Sequence, residues 1–217
     1  GGVPTQRNAP VPRANVQVFL NTNITSRILA TGQWTEALLL MDEPHSTTNP
    51  GVNLTVCGDS GTNEVPTNPG SCVLFGTGNG AGIYSGARST ATDCGSFACE
   101  ARPNVFQGRL AAANSLVWAG VPFDPPGQGT RKVRITNVRS NASQLGTSAT
   151  LVPTQITMFI SITGSTAVPI NNPTQTVAFI QPALTVKYLD VPRTYLQCVS
   201  PASPDSEIVV RIDERFP

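Results

Sequence analysis

Apolar and polar residues alternate along much of this chain. In Gln155-Ile-Thr-Met-Phe-Ile-Ser-Ile-Thr163, Ile156, Met158, Ile160 and Ile162 fall on one side of an extended backbone, opposed by Thr157, Phe159, Ser161 and Thr163. A period of two is that of a strand with one face covered. Asn15-Val-Gln-Val-Phe-Leu20 repeats it, with Val16, Val18 and Leu20 on one face. Strands are expected at 15–20, 24–31, 37–41, 52–57, 115–119, 131–139, 154–163, 175–180, 184–189 and 207–213. Thr31-Gly32 and Asp42-Glu-Pro44 punctuate the first of them. Asn141-Ala-Ser-Gln-Leu-Gly146 is the stretch that suits a single helical turn. Many short strands separated by Gly, Pro and Asn predict an all-β fold, a β-sandwich that is Ig-like or jelly-roll-like in outline. The chain has no internal repeat of fixed period, which argues against propellers and solenoids.

The alternation is absent at the start and in one internal stretch. Residues 1–13 carry Pro4, Pro10 and Pro12, with Val3 before the first and Val11 between the last two. Proline removes backbone donors and favours an extended chain, so this segment reads as an N-terminal arm. Residues 14–217 then read as a single β-sandwich domain, interrupted at about 58–103 by a Gly- and Ser-rich insertion. Four of the five cysteines, Cys57, Cys72, Cys94 and Cys99, lie in or beside that insertion. Pairing Cys57 with Cys72 and Cys94 with Cys99 closes two short loops inside one irregular segment, making it a stapled loop region. Cys198 is left over, as a buried thiol or an intermolecular bridge.

Composition narrows the function classes. Charged residues make up 12% of the 217, with one histidine, His45, so the convergent acids and bases of an enzyme are scarce. No enzymatic activity and no cofactor are expected. A net charge of +1 gives no basic field for nucleic acid. The closest cluster is Arg131, Lys132, Arg134 and Arg139. In a strand, Arg131 shares a face with Val133 and Ile135 while Lys132 and Arg134 share the other, which reads as a solvated sheet face. No apolar run approaches the roughly 20 residues of a membrane span. Cysteines in loop-like surroundings, together with 19 prolines and 19 glycines, fit an oxidising, extracellular or cell-surface location. The start at Gly1 without methionine is read as a processed product or fragment whose secretion signal has been removed.

Several strings hint at chemistry and fail on context. Gly58-Asp-Ser-Gly61 matches the surroundings of a serine-protease nucleophile, but the only histidine lies fifteen residues before Ser60. An Asx/Ser turn beside a disulfide is preferred to a triad of Asp42, His45 and Ser60. Met41-Asp-Glu-Pro-His45 gathers two carboxylates and an imidazole, which require a third ligand such as Asp59 to hold a metal. With neither zinc nor calcium spacing, a polar turn is preferred and no metal is expected. Glycines at every second position of Gly76–Gly82 do not fit a phosphate loop. Sequons stand at Asn23, Asn53 and Asn141 as candidate glycosylation sites. Trp34, Trp118, Tyr84, Tyr188 and Tyr195 are the candidates for a sugar-stacking platform, with Trp118 better suited to the core.

Arg134-Ile-Thr-Asn-Val-Arg-Ser-Asn-Ala-Ser-Gln-Leu-Gly146, Val152-Pro-Thr-Gln-Ile-Thr-Met-Phe-Ile-Ser-Ile162 and Val177-Ala-Phe-Ile-Gln-Pro182 resemble uncharacterised secreted β-rich proteins of environmental bacteria. The resemblance covers the second half of the chain. It implies bacterial secretion and a β fold, and no catalytic residue. The expected function is an extracellular structural subunit that self-assembles into a pilus-like filament or a surface layer. Its partners are identical subunits. The arm, with Val3, Pro4, Pro10, Val11, Pro12 and Val16, adds to a neighbour's sheet edge. The alternative is a secreted carbohydrate-binding or adhesive module whose partner is a glycan and whose recognition surface is the stapled loops. A hydrolase and a jelly-roll capsid subunit rank lower.

Overall fold

The computed structural model describes residues 2–29, 34–57, 72, 74–80, 82–87, 102–148, 152–165, 168–189 and 209–214. Among these the strands are β1 (Arg13–Leu20), β2 (Trp34–Met41), β3 (Val105–Ala112), β4 (Ser115–Pro122), β5 (Val133–Thr136), β6 (Thr154–Gly164), β7 (Thr174–Ile180), β8 (Leu184–Leu189) and β9 (Val209–Glu214). Seven form an antiparallel sheet in the order β5-β2-β3-β4-β1-β6-β7, and β8 pairs with β9 in a second, two-stranded sheet. No described helix is long and apolar enough to cross a membrane.

Alternation turns one face of the large sheet inward. Val16, Val18 and Leu20 of β1, Ala37, Leu39 and Met41 of β2, Phe106 of β3 and Leu116 and Trp118 of β4 are all buried. They cluster with Ile156 of β6 and with Cys57, Leu74, Ile83 and Tyr84 from the border and interior of the insertion. The sheet curls as it twists. Its two ends approach across a cleft lined by Ile135 and Val138 on one side and Ile156, Met158 and Val177 on the other. The all-β class is as expected; the two stacked layers of a sandwich are not seen among the described residues. Among them, one curling sheet surrounds the core and the insertion helps to cover it.

Two expected strands are absent, for a shared reason. Of these, residues 24–29 and 52–57 make only isolated bridges, at Ile24, Ile28 and Val56, and residues 30–31 lie outside the described residues. Just before the first, the Thr22 hydroxyl donates to Asn141 O (2.6 Å), and within it the Ser26 hydroxyl donates to Asn137 O while accepting from Arg139 N–H (both 2.9 Å). In the second, Asn104 Oδ1 accepts from Thr55 N–H and its amide donates to Asn53 O. Side chains thus bond to the backbone and substitute for a regular ladder. Ala142–Gln144 does form the expected turn, a single 3-10 turn, with Asn141 Oδ1 accepting Ser143 N–H.

One strand escapes the alternation rule. Val105-Phe-Gln-Gly-Arg-Leu-Ala-Ala112 forms β3 although Gly108 interrupts its pattern. A Cβ at Gly108 would stand 3.0 Å from the Trp118 indole, so the missing side chain is what lets β4's tryptophan pack this close to β3. Replacing Gly108 with valine is expected to lower stability by about 1–3 kcal/mol, an overpacking cost readable in a urea melt.

The arm lies along its own chain. Val11 N–H donates to Leu74 O (2.8 Å), Gly76 N–H to Ala9 O (2.9 Å), Asn8 N–H to Gly76 O (3.1 Å) and Gly78 N–H to Thr5 O (3.1 Å). Gly76 permits this closeness, because a Cβ there would sit 2.5 Å from the carbonyl oxygens of Thr5 and Gln6. Phe123 N–H donates to Pro12 O, and Thr5 N–H donates to Asp124 Oδ1 (2.8 Å each). Val11 and Val16 belong to the core cluster, Pro4 and Pro12 are half-buried, and Pro10 is exposed but bridges Phe75. Val3 is left 89% exposed.

Candidate functional site

The densest polar constellation forms where β2 leaves the sheet. Asp42 N–H donates to Lys132 O (2.8 Å), carrying the β2–β5 ladder one residue past the strand. The backbone then turns through left-handed conformations at Asp42 (φ 60°), Glu43 (47°) and His45 (59°). Such conformations cost non-glycine residues energy and need external support. Here Asn49 Nδ2 donates to Asp42 O (3.0 Å), Ser46 N–H to Glu43 O (3.3 Å) and Asn49 N–H to Ser46 O (3.0 Å), while Pro44 is buried beneath.

Arg131 joins this turn to three other segments. Its guanidinium donates to Asp42 Oδ2, to Gly80 O in the insertion and, through Nε, to Asp124 O (3.3 Å). It lies over the Tyr84 ring, 4.6 Å from the centroid, in a cation–π contact. The Tyr84 hydroxyl donates to Pro122 O and accepts from Asp124 N–H (3.0 Å). Burial pushes this phenol far above its ordinary pKa. Asp42 is also raised, because partial burial outweighs the attraction of Arg131. Glu43 is lowered by hydrogen bonds from Arg134 and then Lys132, with contacts of 2.7 and 3.3 Å. Glu36 is lowered first by Arg27 N–H and further by Arg139, whose Nε is 2.7 Å away.

The basic cluster is therefore divided. Lys132, Arg134 and Arg139 are exposed, as a solvated face requires, but each faces a carboxylate. Arg131 departs from that expectation, with a side chain only 10% exposed. Its sequence neighbours gave no sign of this, since its partners come from residues 42, 80, 84 and 124.

A cleft of about 450 Å³ opens beside this corner, with Asp42, Glu43, Thr48, Asn49, Arg131 and Lys132 among its lining residues. Both carboxylates at its wall are already engaged by cations. His45 is exposed, and the Ser46 and Thr48 hydroxyls bond to each other (2.9 Å). No three metal-ligating side chains gather among the described residues. Asp59 and Ser60 lie outside the described residues, as do Cys94, Cys99, Cys198 and Tyr195.

Other candidates are scattered. Cys57 and Cys72 form the expected disulfide, with their Cα atoms 5.4 Å apart. Trp118 and Tyr84 are buried, Arg109 stands over Trp34 at 5.1 Å, and Tyr188 is exposed on β8, so these aromatics make no common platform. Asn23 and Asn53 are exposed, whereas Asn141 is half-buried and caps the 3-10 turn. Asp124 is buried, and its Oδ2 has no protein partner among the described residues.

Fold and site together define an all-β protein with a disulfide in its loop region, fastened at one corner by an arginine. No protein family, curated protein or solved structure matches the chain.

Proposed function

We propose that this chain is an extracellular structural subunit that self-assembles into a filament or surface layer. One observation carries the reading. In the β8–β9 sheet, Val186 pairs with Ile212 and Tyr188 with Val210, placing these four and Leu184 on one face, with Glu214 opposite Leu184 at its end. All five are between 44% and 72% exposed. Thr185, Lys187, Arg211 and Asp213 occupy the other face. A lone two-stranded sheet is marginal in water, and a contiguous exposed apolar face marks an interaction surface. The disulfide favours an oxidising, extracellular setting. The arm's backbone bonds are satisfied within its own chain, so the far strands supply the stronger route to assembly. A glycan-binding module, the competing reading, lacks an assembled stacking platform among the described residues.

The test is sedimentation and electron microscopy across a concentration series. Mass is expected to rise with concentration. The V186T/I212T double variant keeps β-branched residues and is expected to weaken association about tenfold or more, at roughly 0.8 kcal/mol per lost methyl contact in each copy. A chain that stays monomeric at every concentration would sink the reading.

A further inference from the structure

We infer that a second cleft, bounded by the arm, the connection from β4 to β5 and the segment after β6, is a binding site for a small apolar amine, with the buried carboxylate of Asp124 taking its ammonium group. Such a site does not depend on the self-assembly proposed above. The cleft has a volume of about 310 Å³. That lies at the small end of the range for ligand pockets and suits a compact ligand. Pro12, Phe123, Pro125, Pro126, Val168 and Pro169 give it a largely hydrocarbon wall. The arm closes one side, where a Cβ at Gly2 would stand 3.0 Å from Pro125 Cβ.

Asp124 stands in this wall with its hydrogen bonding incomplete. It is 2% exposed. Its N–H donates to the Tyr84 hydroxyl, its carbonyl accepts from Arg131 Nε, and Oδ1 accepts Thr5 N–H (2.8 Å) from the arm. Oδ2 has no protein partner among the described residues. A buried carboxylate oxygen without a donor is costly, and folded proteins keep few of them. The surrounding wall is poorly equipped to supply one. Its prolines have no N–H, and Phe123 N–H is already given to Pro12 O. Arg131 shares the wall, but its guanidinium is committed to Asp42, Gly80 O and the Tyr84 ring.

Charge selects the class of donor. A hydrogen bond from a cation to a carboxylate is about twice as strong as one between neutral groups, and salt screens it little in buried surroundings. Arg13 is a further cation at the cleft, but it is exposed and its field is screened by solvent. An ammonium on a short hydrocarbon body therefore fits. Its head satisfies Oδ2, and its body displaces water from the proline and valine side chains. Because Oδ1 holds Thr5 N–H, ligand and arm share one carboxylate.

Titration of the intact protein with isoamylamine, followed through its amide and methyl NMR signals, tests this. Saturable binding is expected, with the largest shifts at the Thr5 amide and the Val168 methyls. Isoamyl alcohol offers the same body without the charge, and isocaproate carries the opposite charge. The amine is expected to bind about tenfold tighter than either. D124N keeps the size and the acceptor for Thr5 N–H but removes the charge; it is expected to weaken the amine about tenfold, leave the alcohol unchanged and keep a native circular dichroism spectrum. Should D124N fail to fold, the ranking of the three probes on the wild-type chain decides. Equal binding of amine and alcohol, tighter binding of isocaproate, shifts that miss Thr5 and Val168, or no saturable binding would each overturn the site. So would an amine that binds folded D124N as tightly as the wild type.

Discussion

Replacing Arg131 with methionine is expected to destabilise the fold by about 2–4 kcal/mol, seen as a lower urea midpoint with an unchanged slope. Methionine restores much of the aliphatic volume and none of the donors. It leaves the Asp42 carboxylate, Gly80 O and Asp124 O without the guanidinium that binds them, and removes the cation from the Tyr84 ring. Breaking a buried pair by deleting one partner costs about 3–5 kcal/mol, and Asp42's 32% exposure reduces that here. R131K keeps the charge but not the planar fork, so it should fall between the two.

The pH dependence of this variant identifies the cause. Asp42 is raised by burial even with Arg131 present, and losing the cation raises it further. A carboxyl raised in the folded state favours the fold when protonated and disfavours it once ionised. The stability gap between R131M and the wild type should therefore be largest near neutrality and shrink as pH falls toward the ordinary carboxylate range. Glu43 and Glu36 act oppositely: their lowered values give stability that is lost as pH falls below about 4.5. Both proteins share that loss, so it cancels in the difference. A gap independent of pH would show that the loss is packing alone.

The strands the alternation reveals most clearly, β1 and β6, are neighbours in the sheet, and their apolar residues do face the core. The pattern misleads where a side chain replaces a ladder bond. Thr22, Ser26 and Asn104 look ordinary in one dimension, and only their distant partners turn two expected strands into irregular segments. β3 is hidden by Gly108, whose reason for being glycine sits in Trp118. The Cys57–Cys72 bridge is readable because its loop is local. The Arg131 corner is not, since it assembles from the end of β2, the insertion and the β4–β5 connection. The proline-bearing arm reads as extended, but nothing in its residues says which segment will hold it.

Removing the disulfide with C57A/C72A is expected to destabilise the fold by about 2–4 kcal/mol and to release the arm. Closing a loop of this sequence separation, 15, restricts the unfolded chain by about 3 kcal/mol on an entropic account. The native state loses as well. Cys72 lies two residues before Leu74, whose carbonyl accepts Val11 N–H, and four before Gly76, which bonds the arm at both Asn8 and Ala9. Without the bridge, that backbone is anchored less firmly at the point where Leu74 helps seal the core. The Asn8 and Val11 amides should then exchange faster than the β1 amides, and limited proteolysis should cut the arm first. An unchanged urea midpoint together with unchanged arm exchange would show that the bridge anchors neither. If the chain self-assembles as proposed, the same variant separates two routes to that assembly. If the freed arm leaves association as it was, the junction lies in the far strands. If association strengthens, the arm can leave its own chain for a neighbour's, and its hold on residues 74–78 is what keeps that exchange in check.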